Sequence, residues 1–252
     1  MKIGTRGSAL ALAQARQIAD LLGGGEIVPI STAGDRDKAA RFDAIGDGRG
    51  VFTREIERAL LDGDIDAAVH SAKDLTGEMP AGLVLGAVPP RADPRDVCCG
   101  PYSSLDQIPA GARVGTSSAR RSGRLAELRP DVQVVPLRGN VDTRLRKLDD
   151  GEADVILLAA AGLIRLGLEG RIAFALDPHE FVPEAGQGAL AVQVRAGEEH
   201  TVAMIDDALS HAVLDAERDA VAALGGGCTV PVGAYAWHDP AGDLQIRTWA
   251  GL

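Results

Sequence analysis

Arg113-Val114-Gly115-Thr116-Ser117-Ser118-Ala119-Arg120-Arg121 reads as a short strand, a hydroxyl-rich turn and the start of a helix. The amino terminus carries the same design. Lys2–Thr5 is a strand, Arg6-Gly7-Ser8 is the turn, and Ser8 caps a helix over Ala9–Leu22 that Gly23 stops. One design used in both halves of the chain predicts an α/β protein with two lobes. In open α/β sheets, ligands collect at the carboxyl ends of strands, where helix amides favour anions. Arg6, Ser8, Ser118, Arg120 and Arg121 all fall at such places.

Working outward, Glu26–Ser31 and Ile65–Val69 are further strands, and a helix capped by Thr53 runs to Asp62. Between them, Thr32 to Gly50 is polar and rich in glycine, a pattern that reads as a lid or a disordered segment. The strand Ile65–Val69 delivers His70-Ser71-Ala72-Lys73-Asp74, placing a lysine and a carboxylate together at a strand's end. On its own such a pair is a solvated ion pair or an acid/base group. Pro89-Pro90 and Asp93-Pro94 mark a boundary. Beyond it, Asp96–Gly100, Val132–Pro136 and Val155–Ala159 are strands, the last feeding a helix through Leu166. Arg120, Arg121, Arg138, Arg144 and Arg171 are all expected at one edge of this second sheet. Five guanidiniums at strand-to-helix turns point to a polyanion site, since each grips a carboxylate through two parallel hydrogen bonds.

Ala189–Val194 is apolar enough for a central strand returning to the first lobe; Thr201–Leu209 and His211–Leu224 read as helices. The last helix ends in Gly225-Gly226-Gly227-Cys228, ahead of a hairpin of Val230–Ala236 and Leu244–Trp249. The domains are accordingly 1–90 with 189–206, then 94–183, then a small unit over 210–252.

Composition narrows the function. The 252 residues are 46% hydrophobic but only 3% aromatic, so the cores are built from Ala, Val, Leu and Ile. A net charge of −10 argues against nucleic-acid binding. No apolar run reaches the roughly 20 residues that span a bilayer. Three cysteines, two of them adjacent, form neither a disulfide framework nor a metal-binding pattern, so a reduced cytoplasmic protein without a metal is expected. Arginines outnumber lysines 22 to 4, which makes their placement the informative feature.

Taken together, Thr5-Arg6-Gly7-Ser8-Ala9-Leu10-Ala11, His70-Ser71-Ala72-Lys73-Asp74, Gly115-Thr116-Ser117-Ser118-Ala119-Arg120-Arg121, Leu137-Arg138-Gly139-Asn140-Val141 and Gly225-Gly226-Gly227-Cys228 resemble the porphobilinogen deaminase family, in order and approximate spacing. The resemblance implies two type II periplasmic-binding-protein-like domains flanking a cleft, plus a small α+β third domain. It implies a monomeric transferase that condenses four porphobilinogen molecules, with loss of ammonia, into hydroxymethylbilane for tetrapyrrole and haem biosynthesis. It also implies one dipyrromethane cofactor held covalently by a thioether to Cys228, with Asp74 as the catalytic carboxylate. Lys73, Asp74, Ser118, Arg120, Arg121, Arg138, Asn140 and Gly188 match cofactor-binding positions. Arg6, Ser8, Phe52, Arg138, Arg144, Arg171 and Gln187 match substrate-binding positions. Each porphobilinogen carries an acetate and a propionate, so a growing chain of them calls for many arginines. Loss of ammonia leaves an electron-poor azafulvene, whose charge a fixed carboxylate can stabilise. The sequence departs from the family at Ala33, where an arginine is expected, at Arg49, where a lysine is expected, and in a third domain expected to be shortened. The rival readings are a two-lobed anion-binding protein and an inactive relative.

Overall fold

The computed structural model describes residues 1–32, 53–75, 79–225 and 231–251. Phe52, Cys228, Ala33, Arg49 and the lid expected over 32–50, from residue 33 on, lie outside them. The chain forms two compact units, Met1–Ala92 with Ala189–Asp215, and Asp93–Gly188 with Ala216–Leu252.

The first unit is built on a five-stranded sheet. Its strands are β1 (Lys2–Arg6), β2 (Glu26–Ile30), β3 (Ala67–Ser71), β4 (Leu83–Ala87) and β10 (Leu190–Arg195), in the order β2-β1-β3-β10-β4. The first three run parallel, and β10 lies antiparallel between β3 and β4. Helix α1 (Ala9–Leu21) begins where the Ser8 hydroxyl accepts the Ala11 N–H at 3.2 Å, which satisfies an otherwise orphaned amide. Its buried face, Ala11, Ala15, Ile18 and Ala19, follows helical spacing. Gly23, at φ +78°, supplies the left-handed residue that ends it. Helix α2 (Arg54–Leu61) buries Ile56 and Leu60 on the other face, against Ile65, Ala68 and Leu83. Full burial of each such side chain contributes about 1.5–3 kcal/mol.

The second unit repeats the plan. Strands β5 (Asp96–Cys99), β6 (Arg113–Gly115), β7 (Gln133–Val135), β8 (Val155–Ala159) and β9 (Phe174–Ala175) lie in the order β7-β6-β8-β5-β9. Here β6, β7 and β8 are parallel, and β5 is antiparallel to β8 and β9. Helices α3 (Ala119–Leu128), α4 (Val141–Asp149) and α5 (Ala160–Arg165) connect them. Cys98 and Cys99 are core residues; burial pushes their thiols up to about 12 and about 11, so neither is a nucleophile.

Helix α6 (Ala208–Ala223) and the antiparallel hairpin β11 (Val232–His238) and β12 (Leu244–Ala250) complete the chain. In the hairpin, Val232, Ala234 and Ala236 are buried. Gly233 has no room for a side chain: a Cβ there would meet the Val182 carbonyl oxygen at 2.7 Å. The Ala234 N–H donates to the Pro183 carbonyl at 2.9 Å, and His179 packs edge-on against Tyr235 and Trp237. The hairpin is thus seated on the segment 179–183 of its own unit.

One expected helix differs. Thr201–Leu209 is not one helix but two short 3-10 turns, Glu199–Thr201 and Ala203–Ile205, followed by the start of α6. The Asp207 carboxylate accepts the Ser210 N–H at 2.8 Å, so the helix starts there. Strands β4 and β9 stand where the sequence predicts no element, and β9 is only two residues long.

Candidate active site

In the first unit, β3 is buried along its length until Ser71, and the chain then makes a single 3-10 turn, Ala72–Asp74. The Ala72 N–H donates to the Ala189 carbonyl at 3.0 Å, which pins the turn to the sheet. Lys73 and Asp74 are therefore half-buried at the carboxyl edge of the parallel strands. Arg6, at the end of neighbouring β1, and Ser8, at the start of α1, lie at that same edge. Beneath them His70 is buried. Burial pulls its imidazole from the ordinary 6.5 to about 4; a hydrogen bond with Gln193 opposes this and the charge of Arg6 reinforces it. His70 is neutral at physiological pH and adds no second positive charge beside Arg6.

In the second unit, Ser118 caps α3 by accepting the Arg121 N–H at 3.4 Å. Arg120 and Arg121, in the helix's first turn, both fold inward and are only 4% and 5% exposed. Between them sits Asp96, fully buried, with oxygens 2.8 Å from Arg120 Nη1 and 2.7 Å from Arg121 Nη2. Burial alone would raise the Asp96 pKa, but Arg121 and Arg120 hold it at about 2. Gln187 joins the group, donating from Nε2 to Pro94 O at 2.7 Å and to Asp96 Oδ1 at 3.1 Å. Arg165 donates to the adjoining Gly188 carbonyl at 2.8 Å. Arg144 donates to Gly139 O at 2.7 Å. Burial lowers the pKa of both Arg144 and Arg165 to about 10, and Arg121 adds to the effect on Arg144. Arg138 and Asn140 are exposed in the turn that leads into α4.

Arg171 is elsewhere. Because β5 runs antiparallel to β8, its Cys99 end lies at the amino end of β8, and Phe174 pairs with Cys98 there. The six-residue α5, followed by a reversal at Gly167 (φ +67°), has carried the chain back to the opposite edge of the sheet. Arg171 pairs with Asp149 at 2.5 Å in an open groove of about 430 Å³ that also includes Gly100, Asp154 and Ile172. The expectation that it shares an edge with Arg120 and Arg121 is corrected. Arg165 stands in its place, unnoticed in the sequence although it interrupts the apolar run Leu163-Ile164-Arg165-Leu166.

Two family descriptions match the chain: porphobilinogen deaminase, dipyromethane cofactor binding domain, over residues 1–203, and porphobilinogen deaminase, C-terminal domain, over residues 212–250. The chain belongs to the porphobilinogen deaminase family. It is 48% identical to the porphobilinogen deaminase of Brevibacillus brevis, covering 99% of this chain and 84% of that protein. Identity to the porphobilinogen deaminase of Syntrophus aciditrophicus is 47%, over 100% of this chain and 85% of the relative. That of Thermus thermophilus is 48% identical, over 97% and 83%. In fold the chain resembles the methionine binding protein MetQ, with a TM-score of 0.50, 14% identity, and coverage of 81% of this chain and 89% of that one. Two lobes of the type II periplasmic-binding-protein kind with a small third domain are thus the architecture of this porphobilinogen deaminase family member. Family identity near one half, against 14% to MetQ, also sets aside the reading as a binding protein alone.

The family's dipyrromethane cofactor bears acetate and propionate carboxylates, and the donor set of the second unit fits them. Asp96 offers one buried carboxylate to two buried guanidiniums. The buried Nε and Nη2 of Arg120 have no hydrogen-bond partner among the described residues. Buried N–H donors left over in a cationic cluster suit an incoming anion.

Proposed function

We propose that this chain works as a hydroxymethylbilane synthase, condensing four porphobilinogen molecules with loss of ammonia, with Asp74 as its catalytic carboxylate and Cys228 as the attachment point of its primer. The observation that carries the reading is the buried pair Arg120 and Arg121 on a single Asp96 at the carboxyl edge of a sheet, with half-buried Arg144 on the Gly139 carbonyl and half-buried Arg165 on the Gly188 carbonyl. When bound, the dipyrromethane group supplies the free pyrrole carbon to which substrate units are added. The protein's own part is electrostatic. Arg120, Arg121, Arg144 and Arg165 hold carboxylates, with Ser118, Gln187 and Gly188 fixing the edge around them; exposed Arg138 and Asn140 extend the grip outward. Arg6 and Ser8 bind a substrate carboxylate at the start of α1, and Phe52 is assigned an apolar contact with substrate by the family resemblance alone. Asp74, held half-buried beside Lys73, accepts the pyrrole N–H and stabilises the positive charge that grows as ammonia leaves. It also takes up and returns the protons exchanged at each addition.

On this reading the enzyme is a cytoplasmic monomer, as the family resemblance implies; no helix among the described residues is long and apolar enough to cross a membrane. Intact mass spectrometry tests the reading. The wild type is expected to carry the mass of two linked pyrrole units, and Cys228→Ser none. Asp74→Asn is expected to keep that mass while turnover falls about 100-fold or more. A wild type that stays unmodified after incubation with porphobilinogen refutes the enzyme reading; an Asp74→Asn variant at full rate removes Asp74 from its role.

A further inference from the structure

The buried face of α6 contains Ser210, Val213, Leu214 and Glu217, so a carboxylate occupies a position where helical spacing calls for an apolar side chain. Glu217 is fully buried. Its Oε2 accepts the Gly186 N–H at 2.7 Å, and its Oε1 accepts the Ala236 N–H at 2.8 Å. Those two amides lie far apart in the chain. Gly186, at φ +73°, is in the crossing segment whose next residues, Gln187 and Gly188, bond Asp96 and Arg165. Ala236 is in β11, and its neighbour Ala234 is tied to the same crossing segment through Pro183.

We infer that Glu217 is a positioning residue, whose two oxygens fix both flanks of the segment bearing Cys228 to the rim of the arginine cluster. One flank is α6 itself, which carries Glu217; the other is β11. Both are referred to Gly186, one residue from Gln187. The β11 edge needs such a partner, because its outward N–H groups at Ala234 and Ala236 are buried and must be satisfied. Pro183 O serves the first and Glu217 serves the second. A carboxylate is suited to this because it accepts on both oxygens, whereas an amide of the same length presents one acceptor and one donor group. Glu217 touches neither substrate nor cofactor in this scheme. It acts through the places it holds.

The inference rests on the assignment of Cys228, and its test separates the two. Hydrogen exchange at the Gly186 and Ala236 amides is measured in the wild type, Glu217→Gln and Glu217→Asp, beside the intact-mass assay. In the wild type both amides are expected to exchange as slowly as core amides of β6 and β8; exchange at the rate of surface turns overturns the inference without any variant. In Glu217→Gln, exchange at these two amides is expected to rise about tenfold or more while β6 and β8 stay protected. The fraction carrying the two-pyrrole mass is expected to fall and KM for porphobilinogen to rise more than kcat drops. Glu217→Asp, shorter but with two acceptors, is expected to retain more protection and more adduct than Glu217→Gln. A Gln variant equal to or better than Asp would mean that Glu217 only fills space, and a uniform loss of protection would make it a general stability residue; either overturns the inference. Absence of adduct from the wild type would instead refute the Cys228 assignment, with the exchange result still deciding Glu217.

Discussion

Arg165 and Arg171 are six positions apart in the chain and at opposite edges of one sheet. The first is half-buried, with its head on the Gly188 carbonyl and its pKa drawn down to about 10 by burial. The second is in an open groove, already matched by Asp149. A guanidinium held out of water beside a cationic cluster is poised for an anionic ligand, whereas an exposed pair contributes about 0–1 kcal/mol and little else. Arg165→Gln is therefore expected to raise KM for porphobilinogen about tenfold or more, the scale of one lost charge-assisted contact. Arg171→Gln is expected to leave kcat and KM within about twofold of the wild type, with a stability change under about 1 kcal/mol. Steady-state kinetics on both variants checks this; a larger defect in Arg171→Gln would reverse the assignment of the two residues. The same pair shows how residue-level reading goes astray. Sequence locates an arginine after a strand-helix unit, but a helix of six residues returns the chain to the far edge before Arg171 arrives.

At the scale of the element, helix α3 is held at its start by charge as well as by its cap. Ser118 satisfies one amide of the first turn, while Arg120 and Arg121 turn back onto Asp96 at the start of β5. Helix and strand are thereby joined through a carboxylate with no exposure to water. Removing Asp96 leaves two buried guanidiniums without their anion, which costs about 3–5 kcal/mol, whereas removing Arg121 alone leaves Asp96 paired with Arg120. Asp96→Asn is expected to lose stability on that scale in urea denaturation. Arg121→Met, which keeps a one-to-one pair, is expected to lose less stability but still to lose activity, because the cluster lacks a guanidinium. Equal stability of Asp96→Asn and wild type would show that the Asp96 pairing is not what fastens α3 to its sheet. The turn chemistry of this element was plain in the sequence: Ser118 as cap, with the arginines directly after. That both arginines point into the protein was not, since adjacent positions on a helix normally diverge by about 100°. Asp96, the residue that draws them together, carried no motif at all.

For the whole molecule, acid should act in two stages with the same sign. Folded His70 titrates near 4, below its ordinary 6.5, so between those values the unfolded chain binds the extra proton and stability rises with pH. Lowering the pH from 6.5 to 4 is expected to remove about 3 kcal/mol through this one group. Below that, Asp96 continues the trend: its folded pKa of about 2 lies under the ordinary carboxylate value, so its stabilisation is present above that value and is lost as pH falls toward 2. Urea midpoints measured from pH 7 to 4 are expected to fall steeply in the wild type and to flatten in His70→Gln. An unchanged slope in that variant would mean that His70 is not the group responsible. By itself the sequence determined the alternation of strands and helices, the caps at Ser8 and Ser118, the glycine stops and the family, because each depends on local periodicity or on a few adjacent residues. It also placed Asp74 at a strand's end, since a buried strand and its next turn are consecutive. Only the tertiary structure decided which arginines share a site, that His70 is neutral, that Asp96 anchors two guanidiniums, and that Glu217 joins α6, β11 and the crossing segment. Those properties are set by desolvation and by contacts between residues remote in the chain, and no local pattern encodes either.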